Sequence, residues 1–187
     1  MPSFDNIYRK ILNDLRVELK EEFDRNFERK AFFTDPPWAP VKYPARRGSL
    51  MMRSPGGLRS SIMAKVIADG VQFTSSKPYA DIHNEGGRIK VTPQIKKYFW
   101  AMYYKATGGI TYSIKTKQAN KTKRNKMLNA EAQYWKNMAL MKVGTDITIP
   151  ERRFIGRSPE VDQLIQNVID DNMKELNQTL ITQFKKQ

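Results

Sequence analysis

Cysteine is absent from this 187-residue chain and histidine occurs once. Without thiols there can be no disulfide and no thiolate metal site, and a lone imidazole falls short of the ligand set that zinc requires. No apolar run reaches the ~18 residues of a membrane span, and the opening MPSFDNIYRK has no apolar stretch of the signal-peptide kind. A membrane protein and an ordinary secreted precursor are both unexpected on that basis. The glycine pairs Gly56-Gly57, Gly86-Gly87 and Gly108-Gly109 lead into neither GK[ST] nor the spaced glycines of a dinucleotide fold, so they read as turns. No HExxH motif is present, and no cofactor is expected. Acidic residues are missing from a long segment: between Gly86 and Ala130 there are eleven basic residues and no Asp or Glu. Most of the net charge of +14 belongs there.

What is present is enough for a core, with 40% hydrophobic residues. Ile7, Ile11, Leu15, Leu19, Phe23 and Phe27 recur every four residues and predict an amphipathic helix from Ser3, its N-cap, to about Lys30. TDPPWAPVKYP ends that helix, and an irregular arm with aromatic anchors is expected from Trp38 to Gly57. In SSIMAKVIADGVQFTSS, Ile62, Ala64, Val66 and Ala68 alternate on one face, and Asp69-Gly70 suits a two-residue hairpin turn. The next stretch, PYADIHNEGG, is expected at a strand end or in the loop after it. QIKKYFWAMYYKAT and MLNAEAQYWKNMALM read as helices, the basic GGITYSIKTKQANKTKRNK between them as a mobile loop, and DITIP as a strand closing the sheet. Ser158 caps a last helix with Pro159 at its first position. Its stripe of Val161, Leu164, Ile165, Val168, Ile169, Met173, Leu176, Leu180 and Phe184 reads as core. The class is α+β: a small antiparallel sheet built on a hairpin, packed by long terminal amphipathic helices, with a helical basic segment.

His83 stands between Asp81 and Glu85, which would share its face in a strand. As one titrating group with no evident partner, it reads as a scaffold residue that hydrogen-bonds its neighbours or packs at a strand end, and no catalytic or metal residue is assigned. The acids Asp170-Asp171 have no opposing carboxylate, which leaves a two-acid hydrolase unsupported. In the basic segment, lysines interleave with Tyr98, Phe99, Trp100, Tyr103, Tyr104 and Tyr112. Such a pattern fits stacking on bases with lysines on phosphates, and it fits equally a helix with aromatics inward and lysines in water. A DNA-binding protein using residues 88–126 is therefore the alternative to any structural role. The cations that would touch DNA or an acidic partner are Lys115, Lys117, Lys121, Lys123, Arg124 and Lys126.

Four stretches occur in order: WAP from Trp38, GLRSSI from Gly57, PYADIHNEGG from Pro78 and IPERRFIGRS from Ile149. Together they resemble the tailed-phage virion morphogenesis family, the tail-completion proteins of Mu-like and related contractile-tailed phages and prophages. The residues that match its motifs are Tyr79, His83, Gly86, Gly87, Pro150, Arg152, Phe154 and Gly156. Glu85 and Glu151 depart from them, since the family often has phenylalanine and alanine at those places. The resemblance covers the first helix, Trp38 to about Thr92, and Thr148 to the end. It implies one α+β domain over residues 1–187, with residues 90–146 as a basic, partly helical insertion. It also implies a non-enzymatic virion protein at the tail or head–tail junction, assembled in the bacterial host cytoplasm as a ring, often hexameric. Its neighbours would be neck, tail-terminator or tail-tube proteins, with DNA passing through the channel and no membrane involved. Trp38, Arg152, Arg153 and Phe154 are the residues expected at a subunit interface, the alternative being that Phe154 plugs its own core and the arginines are solvated.

Overall fold

A computed structural model describes residues 4–40, 51 and 56–184. The expected N-cap Ser3 and most of the expected arm between Trp38 and Gly57 lie outside the described residues. Among the described residues the α-helices and strands follow in the order α1 (Phe4–Arg29), β1 (Ile62–Ile67), β2 (Gly70–Ser75), α2 (Ala80–Asn84), β3 (Gly87–Lys90), α3 (Pro93–Gly108), α4 (Lys123–Leu140), β4 (Asp146–Ile149) and α5 (Pro159–Phe184). The class is α+β, with long helices at both ends. The chain divides into two compact units. The first holds α1, β1, β2, α2 and α5. The second is built on Glu85–Glu151, which brackets the segment expected as an insertion at residues 90–146.

In the first unit, α1 buries Leu12, Leu15, Leu19 and Phe23 against Val161 of α5 and against the inner face of the hairpin. The hairpin is antiparallel, and its register sets Ala64 opposite Phe73 and Val66 opposite Val71. Those side chains share the face that meets α1, where the Phe73 and Phe23 rings lie edge to face at 5.0 Å. Ile67 pairs with Gly70, so the two turn residues are Ala68 and Asp69, not Asp69 and Gly70 as expected. Gly70 is spent in the strand to hold Val71 and Phe73 on the inner face.

The α5 stripe is only partly core. Val161 is buried, and Leu164, Ile165 and Val168 pack against the α1 cluster. Further along, Met173 and Phe184 are exposed, and the buried position is Asn172, whose amide donates to Asp14 at 2.9 Å. The two helices run antiparallel, with Lys10 of α1 bonded to Glu175 of α5. The far end of α5 therefore lies beside the start of α1, where Phe4, Ile181 and Phe184 are exposed among the described residues.

The second unit holds a separate two-stranded sheet. The strand of DITIP does not close the hairpin sheet: β4 pairs with β3, setting Ile89 opposite Ile147. Helix α3 is capped by Thr92, which accepts from the Ile95 amide, with Pro93 at the start. Against it packs α4, where Phe99 stacks on Trp135 at 5.7 Å and Ala106, Ala132 and Ala139 are buried. Small residues at these places let two helix backbones approach closely.

Candidate functional site

PYADIHNEGG is not a strand end. A single short helix, α2, starts at Ala80 just after Tyr79, so Asp81, His83 and Glu85 do not share a face as they would in a strand. His83 sits with its ring edge-on to Tyr79 at 5.8 Å. Its Nδ1 is buried without a hydrogen-bond partner among the described residues. Burial, and after it the charge of Arg152, pushes the His83 pKa below its ordinary value. What this stretch bonds with is its main chain and its asparagine. The His83 carbonyl accepts from the Arg152 amide at 2.8 Å, and Asn84 Oδ1 accepts from both Phe154 and Ile155 amides at 3.0 Å. The two strongest motif stretches are thus clasped together where the chain leaves the first unit and returns to it.

Phe154 follows from that clasp. Its ring is only 2% exposed and lies 4.9 Å from the Phe27 ring, in a cluster with Met51, Leu58 and Ala80. Trp38 joins the cluster edge-on to Phe27, and its indole N–H donates to the Arg153 carbonyl at 3.0 Å. Asn26, fully buried in α1, donates to the Phe154 carbonyl and accepts from the Phe33 amide at 2.9 Å. Arg152 is buried too, and burial lowers its pKa. Arg153 lays its guanidinium over the Phe32 ring at 4.4 Å and donates to the Arg157 carbonyl at 2.6 Å. The four residues expected at a subunit interface are therefore engaged inside their own unit. Phe154 is core, because the chain on both sides of it is tied down by asparagines.

The motif glycines have specific reasons. A Cβ on Gly156 would fall 2.4 Å from the Arg153 guanidinium, so a larger residue there would push that flexible side chain aside. At Gly86, φ is +72° and a Cβ would meet the Glu151 amide nitrogen at 2.8 Å. GLRSSI contributes Leu58, which has no exposed surface, and Arg59, which bridges Asp24 and Glu28 of α1 with Nε 2.6 Å from Asp24 Oδ1. Tyr79 is half exposed, Pro150 follows β4 directly, and Gly87 opens β3. Among the described residues, no group of three His, Cys, Asp or Glu side chains could hold a metal. No described helix is long and apolar enough to cross a membrane.

The phage virion morphogenesis family matches this sequence over residues 6–174. The chain belongs to that family. No curated protein and no solved structure matches it in the comparisons made. In this morphogenesis protein Trp38, Leu58, Ala80 and Phe154, one from each motif stretch, share a buried cluster of the first unit. Asn26 and Asn84, which hold them, were not singled out from the sequence. A buried asparagine within an otherwise apolar helix face, such as Asn26 beside Phe27, is the signal that could have found one of them.

The second unit carries a different surface. Lys115, Lys117, Lys121, Lys123, Arg124 and Lys126 are all exposed. They stand on a segment that is cross-braced, unlike the mobile loop expected. Tyr112 and Ala119 form an antiparallel bridge, and the Ser113 amide donates to the Gln118 carbonyl at 2.9 Å. Asn125, only 2% exposed, accepts from the Thr111 amide and donates to the carbonyls of Thr111 and Asn120 at 2.7 and 2.8 Å. Helix α4 begins at Lys123, with Thr122 as its cap, four residues ahead of the expected Met127.

Proposed function

We propose that this protein is a non-enzymatic structural component of a tailed-phage or prophage particle that completes the tail or joins head to tail. In this reading it is assembled in the bacterial host as a ring of identical subunits, six being the expected number. The family match over most of the chain is the observation that carries the reading. A second feature supports self-assembly: Phe4 is 80%, Ile181 54% and Phe184 69% exposed at the open end of the α1–α5 pair. Exposed apolar surface of this kind usually marks a protein contact. Neck, tail-terminator or tail-tube proteins are the expected neighbours. Mass photometry of the purified protein across a concentration series, with negative-stain imaging of any large species, tests the assembly. Particles from the producing strain, probed by mass spectrometry, test the location. A monomer at every concentration, together with absence from particles, would refute the proposal.

A further inference from the structure

We propose that the loop between α3 and α4, together with the first turn of α4, is a contact surface for the phosphate backbone of double-stranded DNA, bound without regard to sequence. Six cations lie within the twelve residues from Lys115 to Lys126, all exposed. None of them is ion-paired with a carboxylate among the described residues. A cluster of unpaired like charges repels itself, and a polyanion bound there would relieve that repulsion.

Local rules are broken there in one direction. The first turn of α4 carries Lys123 and Arg124 and no acid, although the amide end of a helix is positive and favours carboxylates. Lys117 occupies a left-handed backbone position, φ +52°, that glycine or asparagine fills with less strain. The lysine stays at that strained place, with its ammonium in solvent. Asn125 and the Tyr112–Ala119 bridge then hold the segment in shape, so the cations are presented from a braced loop. Departures from local preference that gather at one surface are what a binding site produces.

Phosphate is the better partner than an acidic protein surface because five of the six cations are lysines. Lysine is depleted in the cores of protein interfaces, whereas it serves as a point charge on nucleic-acid backbones. Contacts to phosphate carry no sequence information, hence the lack of sequence preference. The inference does not depend on where in a particle the protein sits or on whether it forms a ring.

The test is a fluorescence-anisotropy titration of a random 30-base-pair duplex with the full-length protein across a salt series. If four of the six cations meet phosphates, log K should fall against log salt with a slope of about −3.6, or ~100-fold between 50 and 200 mM. The triple variant Lys115→Gln/Lys117→Gln/Lys121→Gln should flatten the slope by about 0.9–2.7, one to three of the four phosphate contacts being lost. A control with the same charge change in the first unit, Lys20→Gln/Lys65→Gln/Lys77→Gln, should leave it nearly unchanged. Circular dichroism confirms that both fold. An equal loss in the two variants would overturn the proposal in favour of net charge alone. Failure of the unmodified protein to bind duplex at 50 mM salt would overturn it outright. So would weak duplex binding beside strong binding to phosphatidylserine vesicles, since Ile114, 97% exposed at the loop tip, could then be read as a lipid anchor.

Discussion

Replacing Phe154 by alanine separates a core residue from an interface residue. Transfer of a phenylalanine ring out of water contributes about 1.5–3 kcal/mol, and its pairing with Phe27 adds ~0.5–1.5 kcal/mol. The hole left behind is lined by Phe27, Leu58 and Met51, each no more than 1% exposed, and by Trp38, pinned through its indole N–H. Walls of that kind collapse poorly, which places the loss near 4 kcal/mol, within the ~3–5 kcal/mol range for Phe→Ala in cores. For a chain of this length, that lowers Tm by about 8–16 °C. Urea denaturation followed by circular dichroism should show a lower midpoint at unchanged slope. A loss below ~1 kcal/mol would refute the reasoning. If such a variant kept its fold but failed to assemble, Phe154 would face a neighbouring subunit after all.

Gly86→Ala should cost about 2–4 kcal/mol, combining a left-handed backbone with overlap at the Glu151 amide, whereas Gly144→Ala, also left-handed but with open space around it, should cost only ~1 kcal/mol; paired denaturation curves decide this. Protonation of His83 is disfavoured in the folded chain, so its neutral form supports the fold fully above the unfolded pKa of about 6.5. As pH falls below that value the unfolded chain takes up the proton first, and stability is lost until the folded pKa is passed. Melting temperatures at about pH 7.5 and 5.5 should diverge more for the wild type than for His83→Gln. Asn125→Ala strands the polar groups of Thr111 and Asn120, and a local loss of about 1.4 kcal/mol would make trypsin cleavage after Lys115, Lys117 or Lys121 roughly tenfold faster; an unchanged cleavage rate would mean that the loop does not rely on Asn125.

The long helices were legible because their signals are local and repeated. Leu15, Leu19 and Phe23 announce α1 by spacing alone, and Ser158 with Pro159 marks the start of α5, where the Val161 amide points to the serine hydroxyl at 3.4 Å. The two-residue hairpin was legible for the same reason, though its turn slipped by one because Gly70 looked like a turn residue. Strand β4 was found without its partner. GRIK is four residues long with every position exposed, and nothing local distinguishes it from loop. What defines it is pairing with a segment far along the chain. The short α2 was misread because alternation in DIHNE suits a strand, while the Asn84 clasp that shapes it is a long-range bond. The loop before α4 looked mobile by composition, since the single buried residue that braces it, Asn125, is an ordinary asparagine in a run of polar residues.

The placement of the motif residues changes how their substitutions have to be interpreted. Leu58, Trp38 and Phe154 are buried or packed in one cluster, and the Arg153 side chain lies across Gly156. A particle-assembly defect in any of these variants would follow from a weakened first unit without touching a partner directly. Arg153→Gln illustrates the difficulty, because it removes the charge over Phe32 while the interface reading would credit the loss to a neighbour. Among the described residues, the open end of α1–α5 and the cation loop of the second unit are two surfaces that the core does not consume. Changes there leave the clasp between Asn84 and Phe154 intact, so Phe184→Ser should lower self-association at nearly unchanged melting temperature. Loss of assembly that tracks stability in the first group and not in the second is what a family signature built into the core requires.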